Sequence, residues 1–474
     1  MLQLDELIRR VIERVNVNLR EQGLDVESYA RAAVQPEKLL RFYAFYGLTP
    51  HHPLHFRFRH SSLAGSYFLG KCHVDHSVVY KSDIRGDELK PCGAVVDYQG
   101  LAIPVYTDEV IRIRHSYLIK TLVHNYSHDP ENLEEFRIQN TLSMPYANIH
   151  GSPVEGCFLG PFSTVDLTTL HNCVVGAYAY VQVGELAHHR VAPGRIWIRH
   201  GDAFDFSYSF PPDVLAHYIS MQTDEGPRGV LMDFVDARKE DFEAVFRQAR
   251  PEPPIPIPHG AACSAYAVVD DQTQLGENVL VAQRAYLQGA YLGRGSNAQE
   301  NCFIIGSRLE GENVTAHGGK VIGARLGKRV FVGFNAFLRG TSEHPLEVGD
   351  RTIVMPHTII DLQEPLSVPA ECLVWGCIRK SADLAENSMS LERLREIRKG
   401  VISEGTMRFR GDGAEFVGAF ERRIEHILEA NGAYYDGEKC MGHAQKGQRI
   451  AFNTIEPYKE GDLMGIYPTI DIQP

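Results

Sequence analysis

The chain has 474 residues, 44% hydrophobic and 23% charged, a balance that excludes a disordered or membrane-embedded protein and allows several compact units. Its formal net charge of -12 excludes a nucleic-acid backbone as the expected partner, because phosphate binding needs a basic surface. Nine cysteines, an odd number with no Cys-x-x-Cys pair, read as reduced and mostly buried thiols, not as a disulfide framework or a cysteine-rich zinc site.

The chain opens with MLQLDELIRRVIERVNVNLREQ, where apolar residues fall at helical spacing and no secretory leader is legible. Residues 1–60 are therefore expected to form a helical cap, and the expected location is cytoplasmic, without membrane contact. Residues 61–200 carry a first repeat region, GSYFLGKCHVDHSVVYKSDIRGDEL and then NIHGSPVEGCFLGPFSTVDLTTLHNCVVGAYAYVQVGEL. Leu159-Gly160, Val175-Gly176 and Val183-Gly184 are its corner pairs. Residues 90–140 interrupt it, and their composition (HSYLIKTLVHNYSHDPENLEEFRIQN) predicts a partly helical excursion.

Residues 201–260 read as a helical connection ending in the stiff segment PEPPIPIPHG. A second repeat region spans residues 261–380, with corner pairs Leu275-Gly276, Leu292-Gly293, Ile305-Gly306, Leu326-Gly327 and Val332-Gly333. Residues 381–474, with SLERLREIRKG and GAFERRIEHILEANG, predict a helical tail. Six residues per face and three faces per turn predict a coil of about 18 residues, with the aliphatic residue inside and Gly at the corner. The fold class is mainly β: two left-handed parallel β-helix (hexapeptide-repeat) lobes with helical caps and a helical C-terminal tail. An offset of 151 carries Gly160 onto Gly311, Gly176 onto Gly327 and Val181 onto Val332, so the lobes read as diverged copies.

Four short motifs carry a resemblance: Arg85-Gly86-Asp87; Leu170-His171-Asn172-Cys173-Val174-Val175-Gly176; Asn297-Ala298-Gln299-Glu300; and Ala316-His317. They resemble the gamma-class carbonic anhydrases and their relatives among the hexapeptide-repeat transferases. That resemblance implies a homotrimer in which two His of one prism and one of its neighbour hold zinc (or iron or cobalt), whose bound hydroxide attacks CO2 or a similar small electrophile. On this chain the implied metal ligands are His171, Asp166 from a neighbour, and His150 or Glu155, with His317 in the second lobe. Arg85 and Asp87 would hold the catalytic geometry.

The departures are as informative. Asp166 stands where the family has its crossing His, Ile322 stands opposite His317, and Gln288-Gly289-Ala290 replaces the Arg-Gly-Asp step. The first lobe is thus expected to be competent and the second degenerate. Plainer roles stand beside these: His171 as an interface hydrogen-bonder, Asp166 as a corner cap, Arg85 and Asp87 as a salt bridge, and His73 and His76 as a solvated corner. The favoured reading is a metal-dependent lyase acting on a small molecule. The alternatives are an acyltransferase using acetyl-CoA, which needs a general-base His, and a non-catalytic trimeric assembly protein.

Overall fold

In the computed structural model, residues 2–48, 55–98, 101–125, 135–246, 252–446 and 450–473 are described. The chain divides into two units, Met1–Arg195 with Pro212–Met232 and Arg449–Pro474, and Ile196–Pro211 with Asp233–Gln448. Each is built on a parallel β-helix whose three faces are ladders of short strands. Among the described residues no helix is long and apolar enough to cross a membrane.

The coils are tighter than the expected period. In the first unit Ile149 pairs with Val165 and Val165 with Val181 on one face, Val154 with Leu170 and Leu170 with Leu186 on the second, and Leu159 with Val175 and Val175 with Val191 on the third. These residues are buried, and their inward positions step by five, five and six residues. A coil therefore closes every 16 residues, the separation seen in hydrogen bonds between adjacent coils. The second unit closes every 17 through its middle coils, with Ala298 over Val281, Ile304 over Leu287 and Leu309 over Leu292. The shortened faces explain why the sequence pattern slips against multiples of six.

Short faces need sharp corners, and these are made by residues in the left-handed region: Phe162 (φ 54°), Leu167 (φ 49°), Asn172 (φ 52°) and Tyr178 (φ 55°). A side chain there is strained, so stacking on the next coil must offset the cost. Gly184 (φ 85°) and Gly306 (φ 53°) take the same left-handed conformation, but Gly160 and Gly176 have a different task. A Cβ on Gly160 would lie 2.5 Å from the Ala177 nitrogen, and one on Gly176 2.4 Å from that of Pro193. They are there because coils approach closely.

Side-chain hydroxyls and thiols continue the stacking at one corner. Ser77, Ser116, Thr141, Cys157 and Cys173 each donate a backbone N–H to the side chain of the preceding member, from Ser61 Oγ (3.1 Å) through Thr141 Oγ1 (3.4 Å) to Cys157 Sγ (3.4 Å). Buried amides are satisfied without leaving the prism. All nine cysteines are unpaired, and five of them are buried.

The helix Leu2–Leu19 places Leu4, Leu7, Val11, Val15 and Leu19 in one cluster with Val78, Tyr117, Leu142, Phe158 and Val174, the outward residues of one prism face. The predicted cap thus lies along a flank, and the first prism strand begins at Ala44, inside the range assigned to the cap. The interruption predicted as partly helical is corrected in two ways. Its first part is an antiparallel hairpin, Val95–Tyr98 with Leu101–Pro104. Its later part, Val110–Arg114, Tyr117–Ile119 and Leu122–His124, is a regular coil pairing with its neighbours on all three faces. The β-branched and aromatic residues of that stretch fit the pleated surface better than a helix. Its YSHDPENLE portion lies outside the described residues, as does Pro251 of the proline-rich segment.

In the second unit Gly413–Asn431 is the long helix of the tail, N-capped by Asp412, and it packs Phe416 and Phe420 against Phe206 and Phe331. The tail holds strands as well as helices. Gly400–Glu404 and Met407–Gly411 form a hairpin that adds to Phe204–Ser209. The last stretch belongs to the first unit, where Ala451–Ile455 and Ile470–Ile472 pair antiparallel with Ala44–Leu48 and Phe56–Arg59. These strands close two edges that would otherwise template association. A chain ending at Gln448 is expected to self-associate with rising concentration in light scattering while the full chain does not; equal behaviour would show that the edges need no cover.

Four histidines in the first coils are held neutral. Burial is the largest cause for His55, His60, His73 and His115, reinforced by Lys71, His76, His55 and Arg14 respectively, and His73 and His115 are pushed down to about 4. Arg112 donates to His73 Nδ1 at 3.1 Å, so the His73 proton sits on Nε2, 3.0 Å from His55 Nε2. Their unfolded value is about 6.5, so the unfolded chain takes up protons first as pH falls. Stability from these groups is complete above about pH 6.5 and is lost toward pH 4. The urea midpoint should fall across that window, and His73→Gln with His115→Gln should flatten the fall; an equally steep fall in the variant contradicts the assignment.

Candidate active site

One face of the first prism carries a column of outward polar side chains. Register places Arg85 beside His124, His124 beside His150, and His150 beside Asp166 on four successive strands, Asp83–Gly86, Leu122–His124, Asn148–His150 and Thr164–Asp166. Two residues back along the same strands runs a parallel column of Asp83, Leu122, Asn148 and Thr164, continued by Tyr180. Between the columns, Ile84, Val123, Ile149 and Val165 point inward, as strand alternation requires. The outward residues are nonetheless buried: Asp166 and Thr164 are 0% exposed, Tyr180 1% and His150 6%.

A buried polar group needs a partner, and the central ones have them. His150 Nδ1 lies 2.7 Å from Asp166 Oδ1. A carboxylate only accepts, so Nδ1 carries the proton and Nε2 is the basic nitrogen. The Tyr180 hydroxyl donates to Asp166 Oδ2. Gln182 Oε1 is placed 2.9 Å from the same hydroxyl, but a phenol has one proton. With that proton on Asp166, the Gln182 amide group must turn to donate to the phenol oxygen. Asp166 is thereby fixed from both sides, and it fixes the tautomer and plane of His150. Asn148 Nδ2 donates to Thr164 Oγ1 at 3.2 Å, stiffening the same two strands.

At the other end of the column Arg85 grips Asp87 through two hydrogen bonds, Nε to Oδ1 at 3.0 Å and Nη2 to Oδ2 at 2.7 Å. Burial pushes the Asp87 carboxyl up, but the Arg85 charge and hydrogen bonds outweigh it and hold the group below the usual carboxylate range. His124 stands between the two ends, its ring edge-on to His150 with centroids 5.3 Å apart and its Nε2 3.5 Å from Glu88 Oε2.

The sequence-predicted residues fall in three places. Arg85, Asp87, His150 and Asp166 share this face. His171 and Glu155 lie on another sheet, on paired strands, with side chains 44% and 43% exposed and His171 Nδ1 3.8 Å from Glu155 Oε2. Within one chain they do not converge with His150 and Asp166. His317 lies in the second unit, where its Nδ1 meets Glu300 Oε2 at 2.9 Å with both side chains buried. Both oxygens of Asp166 are engaged by His150 and Tyr180, which makes it an orienting carboxylate and a poor direct ligand. The residues missed by sequence reasoning are His124 and Tyr180. A register of 16 residues, visible as the His150 to Asp166 spacing, leads from Thr164 to Tyr180; His124 is hidden because the hairpin lengthens its coil.

An imidazole whose Nδ1–H is held by a carboxylate leaves Nε2 as a nitrogen able to accept a proton. Residues 101–223 match the family described as hexapeptide repeat including loop. No curated protein matches the sequence. Among solved structures, a "putative acetyltransferase" from Desulfovibrio desulfuricans G20 is 54% identical, covers 100% of this chain and 99% of its own, and superposes with a TM-score of 0.94. At that identity over the full length, the chain belongs to the same family of hexapeptide-repeat β-helix proteins.

Proposed function

We propose that the chain is an acyltransferase using acetyl-CoA as a substrate, with His150 as general base. The single observation that carries this reading is the His150–Asp166–Tyr180 chain on a buried prism face, which sets one imidazole in its basic tautomer. The similarity to the Desulfovibrio protein supports acyl transfer over the metal-hydroxide lyase reading, for which His171 and Glu155 lie on a different sheet of the first unit from His150 and Asp166.

In the reaction, an acceptor hydroxyl or amine attacks the thioester carbonyl while His150 Nε2 takes its proton. Asp166 stabilises the imidazolium through Nδ1–H, and Tyr180 holds Asp166. Collapse of the tetrahedral intermediate expels the thiolate, which recovers the proton from Nε2. The net change is one thioester broken, one ester or amide formed, and one thiol released. Arg85 and Asp87 neutralise each other, so their role in this reading is to brace the column.

The test is thiol release from acetyl-CoA against a panel of hydroxyl and amine acceptors. Release that depends on an acceptor is expected, and His150→Ala should lower it by ~10²-fold or more. The absence of acceptor-dependent release with every acceptor class, or a His150→Ala variant as fast as wild type, would end the reading. Tyr180→Phe leaves Asp166 Oδ2 without its donor; it should cost about 1–3 kcal/mol of stability and slow transfer less than His150→Ala does. Unchanged stability on urea titration would remove Tyr180 from the chain of contacts.

A further inference from the structure

We propose that His124 and His150 of the first unit bind a divalent transition-metal ion of the zinc class, and that the bound ion silences His150 as a base. Ring nitrogens of the two residues lie within 4.8 Å of one another. Two imidazoles on one tetrahedral zinc, at Zn–N of about 2.0–2.1 Å, sit roughly 3.3 Å apart, so a modest side-chain rotation brings both onto one ion. His150 presents Nε2, because Nδ1–H is held by Asp166 at 2.7 Å. A carboxylate behind a ligating imidazole is the usual support of a metal site and raises the basicity of the ligand. The His124 Nε2 to Glu88 Oε2 distance, 3.5 Å, is long for a hydrogen bond and close to the edge of a zinc tetrahedron, which makes Glu88 a candidate third donor. Water completes the shell.

The local charge favours a dication. The cation in the column, Arg85, is matched by Asp87, which leaves Asp166 and Glu88 as the carboxylates beside the two rings. The contrast with His55 and His73 is instructive. Their Nε2 atoms are only 3.0 Å apart, but burial and then the charges of Lys71, Arg112 and Arg57 depress their proton affinity, and those charges would oppose a metal ion. Close imidazoles alone do not make a metal site.

The inhibitory half rests on the acyl-transfer reading; the binding half does not. Equilibrium dialysis of the full chain against Zn2+ should show one tightly held ion, with affinity weakened ~10-fold or more by His124→Gln and by His150→Gln. His171→Gln, on a different sheet, should bind as wild type does. No retained Zn2+, wild-type affinity in His124→Gln, or loss only in His171→Gln overturns the site. If His124→Gln does not fold, Cu2+ bound to wild type decides: electron paramagnetic resonance showing two coupled imidazole nitrogens supports the site, and fewer than two overturns it. Saturating Zn2+ should abolish acyl transfer reversibly on chelation; transfer that continues at full rate overturns the inhibition. Zinc bound with no transfer detected in metal-free protein would fail the acyl-transfer reading alone.

Discussion

The parallel stacking of coils at fixed register is the constraint on which the rest depends. In the coils of the first unit that carry no insertion a residue lies beside the one 16 positions later, so side chains of one type become ladders. Inward they are aliphatic, and each buried Val or Leu contributes about 1.5–3 kcal/mol relative to exposure. At a corner they are Ser, Thr and Cys, whose side chains accept the amides of the next coil. The same constraint imposes left-handed corners on residues as large as Phe162 and Tyr178, a strain that only repeated stacking sustains.

Turned outward, the register brings Arg85, His124, His150 and Asp166 into one line although 81 residue numbers separate the first from the last. Burying such a column is costly unless every group finds a partner. The partners are specific: Asp87 for Arg85, Asp166 for His150, and Tyr180 for Asp166. A face of this kind is poor for stability compared with the aliphatic flank under the helix Leu2–Leu19, where Phe158 and Val174 are covered by leucines and valines. A chain that keeps buried charge on one face and apolar contacts on another separates chemistry from scaffolding. The second unit holds its own buried pair, Glu300 and His317, one coil apart, so a His beside a carboxylate recurs in both units.

Much of this was legible in the sequence. Aliphatic-Gly corners such as Leu159-Gly160 and Val175-Gly176 disclose the β-helix because close approach of coils excludes a Cβ there. The period is shorter than the sequence suggests because left-handed corners at residues such as Phe162 and Leu167 carry no sequence mark. The composition of the segment after residue 110 suggests partial helix, but its strands continue the register of the coils on either side. At the site, the carbonic anhydrase resemblance leads to Arg85, Asp87, His150 and Asp166, which do share one face, and by the same motif spacing to His171 and Glu155, which do not. That motif assumes longer faces. With five-residue faces His171 turns onto a neighbouring sheet, and the partner of His150 becomes the residue one coil later.

The chemistry of this face depends on the state of one imidazole, His150, held by Asp166 with its proton on Nδ1. Selective 15N labelling of histidine and long-range nitrogen–proton correlation at neutral pH measure that state directly. The expected spectrum assigns His150 as the Nδ1–H tautomer with a downfield Nδ1 proton, and Asp166→Asn should abolish that downfield resonance. A His150 ring protonated on Nε2, or a spectrum unchanged by Asp166→Asn, would contradict the assignment of this face as the site of proton transfer.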